Sequence, residues 1–165
     1  MASNTLPRKV DYSALRTNQG FIISLLVLAF VADTWWLVAF VALVMLVGTA
    51  VTGAALFKRI YRHVLRPVGL VKPDVVTDNP EPHNFAQGLG GAFLAGSTAS
   101  LLLGAPLVGW ALAWVVIALA ALNLFGGFCV GCFLYYQLNK LGTPGFAYAP
   151  QDANVLPGRQ PRKAA

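Results

Sequence analysis

The sequence predicts an all-α integral membrane protein, a four-transmembrane-helix bundle made of two parallel helical-hairpin repeats. Three observations predict this fold. Hydrophobic residues make up 57% of the chain and charged residues only 11%, whereas a soluble domain carries about 25% charged residues. Two apolar regions are each too long for one membrane span, and all 12 basic residues fall on one side of the spans that result.

The first apolar region, residues 20–57, is interrupted by Asp33 and Thr34. Because a span needs about 20 residues, we divide the region into one helix over 15–32 and a second over 35–57. Trp35 and Trp36 follow the turn, as aromatic residues do at a membrane interface. The polar residues 1–14 predict a cytoplasmic N-terminal segment rather than a signal peptide.

The second apolar region, residues 84–138, is interrupted by Gly104-Ala105-Pro106. Glycine suits the end of a helix and proline cannot continue one, so this region predicts helices over 85–103 and 107–138. The proline-containing stretch 58–84 predicts a cytoplasmic loop. The tail, 139–165, is rich in Gly, Pro and Ala and is predicted to be disordered.

The distribution of basic residues predicts the orientation. The two turns at Asp33 and at Gly104 carry no Lys or Arg. By the positive-inside rule the opposite side is cytoplasmic, which places both termini and the middle loop in the cytoplasm and the protein in the inner (plasma) membrane. The basic residues are Arg8, Lys9, Arg16, Lys58, Arg59, Arg62, Arg66, Lys72, Lys140, Arg159, Arg162 and Lys163.

A short internal repeat relates the two apolar regions. The spacing from Trp36 to Gly53 equals the spacing from Trp110 to Gly127. Each half of the chain is then an in-out-in hairpin, and the halves are related by an axis along the membrane normal.

The two cysteines, Cys129 and Cys132, form a CxxC pair that Phe128 separates from Gly126-Gly127. Residues at i and i+3 share a helix face, with Cα atoms about 5 Å apart, within the range of a disulfide. A CxxC pair on the cytosolic side indicates redox or metal chemistry. The alternative is that two small apolar residues simply pack beside glycines.

The reactivity expected of this pair depends on whether the cysteines lie at the C-terminus or at the N-terminus of a helix. If helix 107–138 is continuous, the cysteines lie near its C-terminus, where the helix dipole opposes a thiolate. If Gly126-Gly127 breaks the helix, Cys129 gains a new helix N-terminus, where thiolates are stabilised. The sequence leaves both alternatives open.

Several polar residues are predicted at the membrane depth of the cysteines, and Asn123 is predicted deeper, about two turns from the pair. His83 is a candidate general base for a thiol, or else a solvated residue at a helix entry. Polar side chains in a membrane usually face the bundle interior, so Asn18, Gln19, Gln87 and Asn123 are predicted to line one cytoplasm-facing pocket with the cysteines. The alternative is that they form hydrogen bonds between helices.

No metal and no cofactor are predicted. A metal site on the two cysteines would need further ligands, and the histidines are His63 and His83. The net positive charge of the chain is attributed to membrane topology and to contact with anionic lipid rather than to nucleic-acid binding. The lipid bilayer is therefore the predicted partner, and a homo-oligomer is left open.

The chain resembles a bacterial membrane family known as domain of unknown function 4395, over residues 10–138. Members often look associated with rhodanese-like or thioredoxin-like proteins, so the resemblance implies a membrane location and a cytoplasmic partner of that kind, without an activity. The residues that carry it are Val10-Asp11, Asn18-Gln19-Gly20, Pro82-His83, Phe85-Ala86-Gln87, Gly127-Phe128-Cys129-Val130-Gly131-Cys132 and Tyr135.

The leading functional hypothesis is a membrane thiol protein that exchanges electrons or sulfane sulfur with a cytoplasmic partner. In it Cys129 and Cys132 form the dithiol, His83 is the base, and Gln87 and Asn123 orient it. The alternatives are a non-enzymatic membrane scaffold or assembly partner and a small-solute permease. Whether the protein is an enzyme is left open.

Overall fold

The computed structural model describes residues 9–51, 74–148 and 156–159. Within these residues the fold is helical apart from one short two-stranded ribbon, in which β1 and β2 are antiparallel. The elements in chain order are β1 (Lys9–Asp11), α1 (Tyr12–Val31), α2 (Trp35–Ala50), β2 (Val75–Thr77), α3 (Pro80–Leu102), α4 (Pro106–Gly126) and α5 (Val130–Lys140).

The helix starts follow local capping chemistry. The Asp11 side chain accepts hydrogen bonds from the backbone N–H groups of Ser13 and Ala14, so α1 begins at Tyr12, three residues before the predicted start. Pro80 and Pro106 occupy the first position of α3 and α4, where the missing N–H costs nothing. Helix α3 therefore begins five residues before the predicted Phe85. The predicted end of α2 and most of the predicted loop lie outside the described residues.

The two turns between paired helices have the same backbone hydrogen bonds. At the first, the N–H groups of residues 32, 33 and 34 donate to the carbonyls of residues 28, 30 and 29; at the second, those of 103, 104 and 105 donate to 99, 101 and 100. The central residue of each turn has a positive φ, 47° at Asp33 and 77° at Gly104. Both turns lie where the sequence analysis places the breaks.

The core lies between the four long helices. Ile22, Leu26, Val38, Val41 and Leu94 are buried there, while many large apolar side chains point outward. Helices α1 and α4 are long and apolar enough to cross a membrane, and α2 is a shorter apolar helix. The fold thus offers two helices that could span a bilayer, with α3 packed along both α2 and α4.

Part of the tail is packed against the helices. Phe146 lies against Phe85 and Tyr135, and its carbonyl accepts a hydrogen bond from Asn139. The N–H of Cys129 donates to the carbonyl of Gly158 at 2.8 Å. These described parts of the tail therefore differ from the disordered segment that the composition predicts, because they contact α3, α5 and the loop before α5.

Candidate dithiol site

A helix break precedes the second cysteine and creates a new helix N-terminus. Helix α4 ends at Gly126, and Gly127 follows in the left-handed conformation with φ 62°, which glycine adopts without a steric penalty. Helix α5 begins at Val130 with Cys129 as its N-cap. The prediction of one helix over 107–138 is therefore wrong, and the alternative of a break at Gly126-Gly127 describes the chain.

Cys129 and Cys132 form a disulfide, with Cα atoms 5.2 Å apart. The Sγ atom of Cys129 also accepts a hydrogen bond from the backbone N–H of Cys132, at 3.1 Å. A thiolate at this position would receive the same N–H and the positive end of the α5 dipole. Both features stabilise negative charge on the sulfur and make it a better leaving group.

His83 lies against the second cysteine. It occupies the first turn of α3, and its Nδ1 atom is 3.5 Å from the Sγ atom of Cys132. Its other ring nitrogen, Nε2, is 3.0 Å from Oδ2 of Asp78. A carboxylate that accepts the Nε2 proton leaves Nδ1 as the lone pair facing sulfur. Cys132, His83 and Asp78 therefore form a series of sulfur, imidazole and carboxylate. In other proteins such a series activates the nucleophile at its end.

Asp78 remains a carboxylate despite its burial. Burial raises its pKa, but the hydrogen bonds from His83 and from the hydroxyl of Tyr12, together with the backbone N–H of Asn79, bring the pKa below the ordinary value. Its charge is thus available to accept the Nε2 proton of His83 and to orient the ring. Sequence analysis did not identify either Asp78 or Tyr12 as a site residue.

The β1–β2 ribbon brings Tyr12 and Asp78 together. Strand β1 ends directly before Tyr12 and strand β2 ends directly before Asp78, and the two strands pair with Asp11 opposite Val75. The Tyr12 hydroxyl then donates to Asp78, and its ring lies edge-on to the His83 ring with centroids 5.7 Å apart. The only sequence signal for Asp78 is its place before the Pro80 helix start, five residues from His83.

Close packing of α5 on α3 sets the distance between the cysteines and His83. A Cβ atom on Gly131 would lie 2.5 Å from Cβ of Ala86, so only glycine permits this approach. One turn further along the same face of α5, Tyr135 packs against Phe85. The glycine between the two cysteines is thus required by the helix contact.

A cavity of about 200 Å³ lies beside the disulfide. All four predicted pocket residues line it, together with His83 and Cys129. Asn18 and Gln87 are buried, and the Gln87 amide donates to the carbonyl of Met45 at 3.1 Å. The cavity therefore brings together the predicted site residues except Cys132, which does not line it and is joined to it through the disulfide with Cys129. The four predicted pocket residues that line the cavity are Asn18, Gln19, Gln87 and Asn123.

The same residues form a group with metal-ligand chemistry. The ligand atoms of His83, Cys129 and Cys132 lie within 4.8 Å of one another. Reduction of the disulfide would give two thiolates and one imidazole, which are three of the four ligands of a tetrahedral zinc site. No fourth His, Cys, Asp or Glu joins this group among the residues that the structure describes.

Comparison with known families decides the membership of the chain. The family model described as domain of unknown function (DUF4395) matches residues 10–140. The chain belongs to this family. The DUF4395 match contains every residue of the site, from Tyr12 to Cys132, whereas the segment Leu156–Arg159 lies beyond it. Neither the curated proteins nor the solved structures include a match to this chain.

Proposed function

We propose that this DUF4395 protein is a membrane thiol oxidoreductase, which exchanges electrons or sulfane sulfur with a cytoplasmic thioredoxin-like or rhodanese-like protein. One observation carries the proposal: a CxxC disulfide begins a helix while its second sulfur lies 3.5 Å from a histidine that is paired with a carboxylate. Simple packing of two cysteines requires neither the helix break nor the paired histidine.

The proposal includes a four-span membrane arrangement. The identical turns at Asp33 and Gly104 support two hairpin repeats. The exposed apolar side chains on α1 to α4 support contact with lipid along all four helices. The absence of basic residues from both turns supports a cytoplasmic location for the opposite end, where Asp78, His83 and the cysteines lie.

The two cysteines have different roles in the proposed exchange. Cys129 is the sulfur that a partner attacks, because it is the more exposed of the two, at 6%, and its thiolate would be stabilised at the N-terminus of α5. Cys132 is the leaving sulfur, because it is only 2% exposed and contacts His83. Their positions in the helix support these roles, which are those of other CxxC pairs at helix N-termini.

A partner dithiol then reduces the Cys129–Cys132 disulfide in two steps. A partner thiolate attacks Sγ of Cys129, the S–S bond breaks, and Cys132 leaves with the electron pair and takes a proton by way of Nδ1 of His83. The second partner thiol then attacks the mixed disulfide and releases the Cys129 thiolate. The partner loses two electrons and two protons and becomes a disulfide, and the Cys129–Cys132 pair becomes a dithiol.

A redox titration of the two thiols in native membranes tests the proposal. We expect one reversible two-electron transition, which is lost when either cysteine is replaced by Ser. The double variant Cys129→Ala/Cys132→Ala separates thiol chemistry from packing. Each small void should cost only about 1 kcal/mol in stability, so the abundance of the protein should persist while its function is lost. Full complementation of a deletion strain by this variant would reject the thiol function and favour a scaffold.

A further inference from the structure

We propose that the cavity beside Cys129 binds a lipid-soluble quinone, which accepts the electrons of the dithiol. This inference rests on the proposed dithiol function and adds the second substrate. A thiol oxidoreductase that is reduced by a soluble partner needs an electron acceptor. A cavity enclosed by helices and open to their apolar surface can admit one from the bilayer.

The position of the cavity favours a ligand that arrives through lipid. Residues of α1 and α4, the two helices long and apolar enough to cross a membrane, line it. Phe93 and Leu119 also line it and are 39% and 40% exposed on the apolar surface. The cavity therefore reaches the surface that lipid would cover, and an apolar ligand could enter between α3 and α4.

The size of the cavity suits one substituted six-membered ring. An apolar cavity of about 150 Å³ in another protein holds benzene, and this cavity has a volume of about 200 Å³. Gly90 lines it, and a side chain there would meet Met45 Cε at 2.8 Å. The remaining lining is mostly aliphatic, as ring-binding sites usually are.

The polar groups of the cavity match the two redox states of a quinone. The Oε1 atom of Gln19 is buried without a hydrogen-bond partner among the described residues, and Asn18 and Asn123 line the same space. A carboxamide donates from its nitrogen and accepts at its oxygen. These amides can therefore donate to a quinone carbonyl and, after reduction, accept from the hydroquinone hydroxyl.

The redox step balances between the dithiol and the ring. Two S–H bonds break and the Cys129–Cys132 bond forms, which releases two electrons and two protons. Both electrons enter the quinone, and the two protons go to its two oxygens, which gives the hydroquinone. Cys129 faces the ring because it lines the cavity, and His83, which also lines it, can carry the proton of Cys132 to the nearer oxygen.

The test uses the full chain in lipid nanodiscs that contain no quinone. The protein is reduced, freed of reductant and mixed with decylubiquinone, and both the hydroquinone formed and the thiols remaining are measured. We expect one hydroquinone per disulfide, with saturation in quinone. A parallel titration with glutathione measures the dithiol alone, so that failure of the quinone reaction is distinguishable from failure of the proposed function.

Variants of the cavity sharpen the test. Asn18→Leu with Gln19→Leu should raise the half-saturating decylubiquinone concentration about tenfold through lost hydrogen bonds. Ala120→Leu, which keeps the amides but narrows the cavity, should do the same if the double variant does not fold. The matched control is Thr98→Val. Among the described residues, the Thr98 hydroxyl bonds only within its own helix, to the Leu94 carbonyl at 2.9 Å.

Each outcome decides the inference. Saturable quinone reduction that the cavity variants weaken and Thr98→Val does not would support it. A dithiol that titrates with glutathione but leaves decylubiquinone oxidised would overturn the quinone site and leave the proposed function standing. Quinone reduction without saturation, equal in all variants, would also overturn it. A protein whose cysteines do not titrate would remove the proposed function and the inference together.

Discussion

The Sγ atom of Cys132 lies 3.5 Å from Nδ1 of His83, although 49 positions separate the two residues in the chain. Two independent helix starts produce this contact, since His83 is in the first turn of α3 and Cys132 is in the first turn of α5. The contact gives the second cysteine a proton acceptor, and the paired Asp78 holds that acceptor in one orientation.

Replacement of His83 by Asn should slow closure of the disulfide by about 100-fold at neutral pH, the usual effect of losing a general base. The defect should shrink above about pH 8.5, where a thiol ionises without help. Glutathione disulfide serves as the oxidant, and alkylation of the thiols that remain at timed intervals across this pH range measures the rate of closure. A loss of equal size at every pH would contradict the role of His83 as a base and indicate a structural defect.

Asp78 should make the stability of the protein sensitive to acid. The pKa of Asp78 is lower in the folded protein than its ordinary value of 3.8 in the unfolded chain. The carboxylate therefore stabilises the fold fully at pH values above 3.8. This stabilisation is lost as the pH falls through the lower pKa of the folded protein. The Tm of the wild type in detergent should therefore fall on acidification below this value. Asp78→Asn should be less stable at neutral pH and show a smaller acid-dependent fall.

Helix-breaking residues and short-range spacing in the sequence predicted much of the helical architecture. The breaks at Asp33 and Gly104 follow from residues that cannot continue an apolar helix, and the same residues form the turns in the structure. The close pairing of Cys129 with Cys132 follows from their spacing. The break at Gly126-Gly127 could not be decided from the sequence, because a glycine pair permits either a continuous or an interrupted helix.

Long-range pairing explains what the sequence did not reveal. Asp78 and Tyr12 are 66 positions apart, and they meet only because two three-residue strands pair in one register. Such short strands carry too little periodicity to predict their pairing. The contact of the tail with Cys129 likewise depends on an isolated bridge between Phe128 and Arg159.

Reporter fusions should reveal the predicted topology. Because all 12 basic residues avoid the two interhelical turns, fusions after Ala165 and within residues 70–80 should both report the cytoplasm, and a fusion in the Gly104–Pro106 turn should report the outside. Alkaline phosphatase and green fluorescent protein fusions give opposite signals on the two sides. A cytoplasmic signal from the Gly104–Pro106 turn would exclude the four-span arrangement.

Gly131→Ala should separate the cysteines from His83. The added Cβ would lie 2.5 Å from Cβ of Ala86, so α5 must move away from α3, at a cost of about 1–3 kcal/mol in stability. The thiol reaction should slow together with the loss in Tm. The double variant Gly131→Ala/Ala86→Gly removes the Cβ–Cβ clash but leaves the added Cβ 2.7 Å from the Cα atom of position 86, so it should recover only part of both losses. A full thiol rate in Gly131→Ala despite its lower Tm would show that the contact does not set the rate.

Gly158→Ala should expose the first cysteine. The carbonyl of Gly158 accepts the N–H of Cys129, and Cys129 is only 6% exposed. Gly158 has a φ of 88°, and a Cβ there would lie 2.7 Å from the carbonyl oxygen of Cys129. The substitution should therefore displace the segment Leu156–Arg159 from Cys129 and increase the alkylation rate of the reduced thiol about tenfold, by shifting a local opening equilibrium.

The matched control for this variant is Gly145→Ala. Gly145 has a similar φ, 96°, but nothing lies within 4 Å of its added Cβ. Both variants therefore impose the backbone strain of a left-handed residue, about 1–2 kcal/mol, and only Gly158→Ala adds a clash with Cys129. Mass spectrometry after timed alkylation measures both rates. Equal rates in the two variants would mean that strain alone acts, and that Leu156–Arg159 does not control access to Cys129.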